Sequence, residues 1–176
     1  MSNAHIKLIA GIHQELGISI TYADERQLSL QNDCLNLKSA GVDIFNREIS
    51  MEASTLTSWQ LMQAAALQEG IELQLVSAYR SVEYQRKLFL KKMNAGLSID
   101  EILKVNAAPG YSEHHSGKAL DLTCPGAECL EESFENTPAF AWLERNATDY
   151  AFLMSFPKNN EHGFLYEPWH WCFKNK

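Results

Sequence analysis

The sequence predicts an α+β fold: a small antiparallel sheet with helices over one face. Three observations predict it. Several stretches have helical apolar spacing with recognisable start and stop residues, others are short with period-two alternation, and the two kinds do not alternate regularly enough for a doubly wound parallel sheet. At 176 residues the chain fits one domain whose core needs no metal or disulfide to hold it, so a metal here would serve chemistry. With no internal repeat, low-complexity tract or linker, residues 1–176 read as one domain, residues 1–50 being an N-terminal extension packed on the rest.

The first element is an amphipathic helix over His5 to Leu16, carrying Ile6, Ile9, Ala10, Ile12 and Leu16 and stopped by Gly17. Tyr22 to Arg47 has no clear period. Leu56 to Glu69 predicts a helix with Leu56, Trp59, Met62 and Ala66 on one stripe and Gly70 as its stop. A strand over Ile71 to Val76 follows from the alternation of Ile71, Leu73 and Leu75 with Glu72 and Gln74. Ser81 is placed to cap a helix reaching Asn94, with Glu83 in the first turn where the helix dipole favours negative charge, which leaves Arg80 at a strand-to-helix junction. Ser98-Ile99-Asp100-Glu101 has the form of a capping box for a short helix that Pro109-Gly110 cannot continue, and Thr137-Pro138 starts another through Phe140, Trp142 and Leu143. Ala119 to Thr123, Ala151 to Phe156 and Trp169 to Phe173 complete the strands, with Trp169, Trp171 and Phe173 as core aromatics alternating against His170 and Cys172.

Composition excludes several functional classes. The chain is 45% hydrophobic and 21% charged, as an ordinary globular protein is, so disorder is not expected. A formal net charge of −7, with basic residues clustered only at Arg86-Lys87 and Lys91-Lys92, speaks against a nucleic-acid partner. No stretch approaches the roughly 20 apolar residues of a membrane span. With no visible export signal, the expected location is cytoplasmic, or periplasmic and wall-facing if a leader preceded this sequence. Cys34, Cys124, Cys129 and Cys172 lack Cys-x-x-Cys spacing, so buried thiols are expected rather than a structural zinc knuckle; a Cys124 to Cys129 disulfide would need an oxidising compartment.

Chemistry concentrates in two segments, Ser112-Glu113-His114-His115-Ser116-Gly117-Lys118-Ala119-Leu120-Asp121 and Glu167-Pro168-Trp169-His170. Catalytic zinc takes three protein ligands and leaves a fourth position open, and these segments offer imidazoles, a ligating carboxylate and a second carboxylate for proton transfer. His114 and Asp121 are seven apart, so on one straight strand they would face opposite ways; Gly117 must mark a bend, with the histidine in a loop and Asp121 on the strand after it. By the same parity, Pro168 leaves Glu167 before the last strand and His170 within it. Spacing alone does not choose between His114 and His115. Arg80, always protonated, is a candidate to hold a polarised carbonyl oxygen or a substrate carboxylate.

The pattern Ser112-x-His114-x-x-Gly117-x-Ala119-x-Asp121, with Glu167-x-Trp169-His170, Ser77-Ala78-Tyr79-Arg80-Ser81 and Gln85, resembles the VanY-type D-alanyl-D-alanine carboxypeptidases, of the zinc peptidase group that includes D-Ala-D-Ala dipeptidases, lysostaphin-like endopeptidases and the hedgehog domain. The resemblance spans roughly Leu61 to Phe173, with three motifs in order. It implies that fold, with Zn2+ at the sheet held by His114, Asp121 and His170, and it selects His114 over His115. It further implies Glu167 as catalytic base, Arg80 as oxyanion stabiliser, and Ser112 with Gln85 placing the substrate's terminal carboxylate. The implied activity is removal of the terminal D-alanine from peptidoglycan stem peptides or precursors. L,D-carboxypeptidase, dipeptidase and endopeptidase activities, and a catalytically retired binding module, are the group's other members.

Overall fold

The computed structural model describes residues 3–174. Its elements in chain order are α1 (Asn3–Leu16), α2 (Tyr22–Glu25), β1 (Leu37–Val42), β2 (Glu48–Glu52), α3 (Ala53–Gln68), β3 (Gln74–Ser77), α4 (Val82–Asn94), α5 (Ile99–Val105), β4 (Ala119–Thr123), α6 (Pro138–Asn146), β5 (Phe152–Met154) and β6 (His170–Phe173), with short 3-10 helices at Glu113–Ser116, Glu132–Asn136 and Ala147–Tyr150. β1 and β2 form a hairpin; the second sheet has the order β3-β4-β6-β5 with every neighbouring pair antiparallel. Mixed helix with small antiparallel sheets is the α+β architecture expected.

Capping chemistry sets the helix boundaries. Ser81 accepts a hydrogen bond from the Tyr84 amide and starts α4, the capping box of Ser98 and Glu101 closes on α5, and Thr137 accepts from the Phe140 amide at α6. α3 begins at Ala53, three residues before the expected Leu56, because the Glu52 carboxylate caps the Ser54 and Thr55 amides. β3 is shorter than the expected Ile71 to Val76: the Ile71 amide returns to the Ala66 carbonyl and belongs to the helix end. β5 likewise covers less than Ala151 to Phe156, since Ala151 adopts a left-handed conformation with φ 60°. Within the segment that lacked a period, β1 is mostly exposed on both faces, which removes the alternation a strand normally displays.

Two clusters form the core. α3 and α6 lay Trp59, Met62, Ala66, Trp142 and Leu143 against one face of the second sheet, meeting Leu75, Leu120, Leu122, Phe152 and Trp171. The other cluster joins Ile9, Ile12 and Leu16 of α1 to Val82 and Phe89 of α4 and Ile102 of α5. Trp171 and Phe173 are buried as expected, while Trp169, in the turn before β6, is half-buried. All four thiols are free; only Cys172 is buried, against the expectation of four buried cysteines.

The N-terminal residues are stitched to both later segments. The Cys34 amide donates to the His115 carbonyl, Gln31 to Gly110, and the Asp33 carboxylate accepts from the Val82 amide at the start of α4. Arg26 donates to the His162 and Gly163 carbonyls and lies over the Phe164 ring at 4.8 Å.

Candidate functional site

The sheet face opposite α3 and α6 carries the predicted residues. β4 and β6 pair so that Asp121 stands directly opposite His170 and Leu120 opposite Trp171. Directly opposed residues share a face, so the carboxylate and the imidazole point to one side while Leu120 and Trp171 enter the core. His114 comes from the preceding 3-10 turn, which ends at Gly117 in a left-handed conformation, φ 70°. That is the bend parity required. At the other segment, Pro168 and Trp169 form a turn closed by the His170 amide donating to the Glu167 carbonyl, so Glu167 precedes the strand as expected.

One ligand atom from each of His114, Asp121 and His170 lies within 4.8 Å of the others, and all three residues are buried. His114 Nε2 is 3.3 Å from Asp121 Oδ2, and His170 Nδ1 is 3.1 Å from Asp121 Oδ1. For bonds of about 2.0–2.1 Å, a tetrahedral metal separates its ligand atoms by roughly 3.3 Å, so the donor set fits such an ion. The remaining ring nitrogens are engaged: His114 Nδ1 donates to the Ala78 carbonyl at 2.5 Å, and His170 Nε2 lies 3.0 Å from Glu113 Oε2. Both histidines thereby turn their other nitrogen toward Asp121.

His115 points elsewhere. Its Nε2 accepts from the Gly110 amide, its Nδ1 donates to the Arg80 carbonyl, and burial pulls its pKa down to about 4, so it is a neutral structural histidine. The fold makes the distinction between adjacent histidines that spacing could not.

Charge in the site is strongly coupled. Burial opposes ionisation of Asp121, yet His114 and His170 hold its pKa well below the usual carboxylate range. His170 is disfavoured as a cation by burial, but its bonds to Asp121 and Glu113 raise its pKa to about 10. Glu167 is the exception among the site's carboxyls: burial pushes it up to about 7, Asp121 and Glu113 adding to the shift against the opposing pull of His170 and Arg80. Its Oε2 lies 3.8 Å from His170 Nδ1, beside the three convergent ligand atoms.

These groups open into a cleft of about 630 Å³ lined also by Ser112, Tyr84, Phe156 and Tyr166, a size that suits a small ligand. Arg80 Nη2 is 3.7 Å from Asp121 Oδ2, and its Nη1 donates to Gln85 Oε1 at 2.9 Å. Gln85 also donates to the Ala107 carbonyl, so both ends of its side chain are committed and it braces Arg80 within the cleft wall. Ser112 is buried on the wall, beside the turn that carries His114. Two residues with no expected site role join the site, one of them Lys92, expected on a solvated helix face. Glu113 backs His170, and Lys92 lines the cleft half-buried, near enough to feel Arg80 and Glu167, its pKa lowered chiefly by burial. Glu113 stands within the first motif; its neighbour His114 was the only signal that could have drawn attention to it.

A family model described as VanY, D-alanyl-D-alanine carboxypeptidase, matches residues 48–176. The chain is similar to "Putative carboxypeptidase YodJ" of Bacillus subtilis (strain 168), 37% identical over 138 residues that make up 76% of this chain and 49% of the relative. Among solved structures it is similar to the LdcB LD-carboxypeptidase, with TM-score 0.72 and 30% identity over 82% of this chain and 74% of that one. A mutant of the vancomycin resistance D,D-pentapeptidase VanY, from a VanB-type resistance cassette and in complex with Zn(II), shares the fold, with TM-score 0.61 and 21% identity over 85% of this chain and 88% of that one. The chain spans about half the length of the curated relatives it matches.

Proposed function

This chain belongs to the VanY family of D-alanyl-D-alanine carboxypeptidases, and from that premise we propose that it is a zinc-dependent carboxypeptidase removing the terminal D-alanine from peptidoglycan stem peptides or their precursors. The observation that carries the reading is the buried convergence of His114, Asp121 and His170 beside Glu167, a carboxyl whose pKa is raised to about 7. His114 through Nε2, Asp121 and His170 through Nδ1 would hold the ion. A zinc ion bound with an open position supplies Lewis acidity toward a carbonyl and acidifies water.

Glu167 takes the proton of the attacking water and returns it to the departing amine of D-alanine. A group titrating near neutral pH suits both transfers. Arg80, held by Gln85, directs its guanidinium at the oxygen that gains charge as the carbonyl is attacked. Ser112 and Lys92 face the same cleft and favour a substrate that ends in a carboxylate. Phe156, whose ring centroid is 4.8 Å from that of His170, shields the histidine from water.

L,D-carboxypeptidase action on the tetrapeptide stem is the second reading, favoured by the similarity to LdcB. Both readings release D-alanine, so the substrate decides between them. Zinc-loaded protein incubated separately with penta- and tetrapeptide stems, with products identified by mass, should release D-alanine from the pentapeptide. Release from the tetrapeptide alone selects the second reading, and release from neither overturns both. Glu167→Ala should keep zinc by elemental analysis and lose about 10²–10⁴-fold in turnover.

A further inference from the structure

We propose that Glu113 is the positioning residue of His170: by accepting from Nε2 it fixes Nδ1 as the nitrogen that faces the metal, and so sets the metal affinity of the site. The inference rests on the metal site proposed above. Glu113 Oε2 lies 3.0 Å from His170 Nε2 and also accepts from Ser155 Oγ at 2.5 Å, while Oε1 accepts from Lys174 Nζ at 2.7 Å. An ionised carboxylate can only accept, so Nε2 must carry a proton in this contact, and Nδ1, turned to Asp121, is the nitrogen whose proton a metal would displace to gain a lone pair. Flipping the ring would exchange both nitrogens for carbons and lose both contacts. The Phe156 ring, its centroid 4.8 Å from that of the imidazole, restrains the ring plane.

The two histidines are therefore backed differently. His114 leans on a neutral main-chain carbonyl, of Ala78; His170 leans on an anion that Lys174 and Ser155 steady from the far side. An anionic acceptor makes the imidazole a stronger electron donor than a carbonyl does, so the charge of Glu113 contributes to affinity beyond its orienting role. Glu113 also immediately precedes His114 in the 3-10 turn, so one short turn presents one ligand and secures the orientation of another.

The test is zinc affinity, measured by competition with a chromophoric chelator, on wild type, Glu113→Gln and Glu113→Ala, alongside the thermal midpoint of each chelator-treated protein. Both variants should bind zinc about 10- to 100-fold more weakly, with midpoints near wild type and Glu113→Gln the milder of the two. Imidazole 15N shifts of the zinc-loaded wild type should show His170 protonated at Nε2 and bound through Nδ1. Unchanged zinc affinity overturns the proposal, including the case in which only the midpoint falls, since that would make Glu113 a link between the turn and the sheet edge. If the Glu113 variants do not fold, Lys174→Met decides, because it removes only the cation behind the carboxylate: weakening of several-fold supports the proposal and unchanged affinity overturns it. Wild type that takes up no zinc overturns the metal site itself and this inference with it, whereas zinc-binding wild type with unaffected variants overturns this inference alone.

Discussion

Glu167 and Asp121 are both buried carboxyls within reach of His170, yet their proton affinities are driven in opposite directions. Asp121 lies between two imidazoles; Glu167 meets burial and two other carboxylates. The stability of chelator-treated protein should register this. The folded pKa of Glu167, about 7, exceeds its ordinary value of 4.5, so the folded chain binds the extra proton across that window, and its contribution to stability is lost as pH rises through it. The loss amounts to about 3 kcal/mol. Glu167→Gln should flatten the fall in urea-unfolding free energy between pH 4.5 and 7 and leave the variant more stable than wild type at pH 8; equal slopes would show that Glu167 is not protonated there. His114, His170 and Asp121 were legible as a motif because each lies at a spacing the resemblance defines. Glu113 was not, since strand parity cannot predict where a residue on a 3-10 turn points.

At the scale of elements, the turn into β4 has the least latitude. Gly117 has φ 70°, and a Cβ there would lie 2.9 Å from the Glu52 amide nitrogen and 3.3 Å from Cys34 Cβ. The Glu52 amide also donates to the Gly117 carbonyl, so the contact ties this bend to the end of β2. Gly117→Ala should cost at least about 1–2 kcal/mol from the left-handed backbone alone, a fall of about 2–8 °C in thermal midpoint, and should also weaken zinc binding because His114 stands on the displaced turn. A midpoint equal to wild type would mean the bend relaxes without strain. Capped helices α4, α5 and α6 were legible because Ser81, Ser98 and Thr137 announce them locally. The β1-β2 hairpin was not: it is docked on the β3 segment by bonds between residues distant in sequence, the Ile44 amide to the Leu75 carbonyl and the Tyr79 amide to the Ser50 carbonyl, which no local pattern encodes.

Across the whole molecule, the site is assembled by segments far apart in sequence, and the N-terminal residues hold them together. Ile12 is buried between α1 and α4 and does not line the cleft. Ile12→Ala should therefore cost about 2–5 kcal/mol in denaturant unfolding while zinc affinity of the folded protein stays at the wild-type level; a parallel loss of zinc would show that α1 shapes the site directly. The opposition of Asp121 and His170 across β4 and β6 has one more consequence. If the two strands met one residue out of step, Asp121 would turn into the cluster of Leu120, Leu122 and Trp171, where an unpaired carboxylate costs several kcal/mol, and Leu120 or Leu122 would replace it in the cleft. The carboxylate proposed to hold the metal thus also penalises a misaligned sheet, with or without an ion.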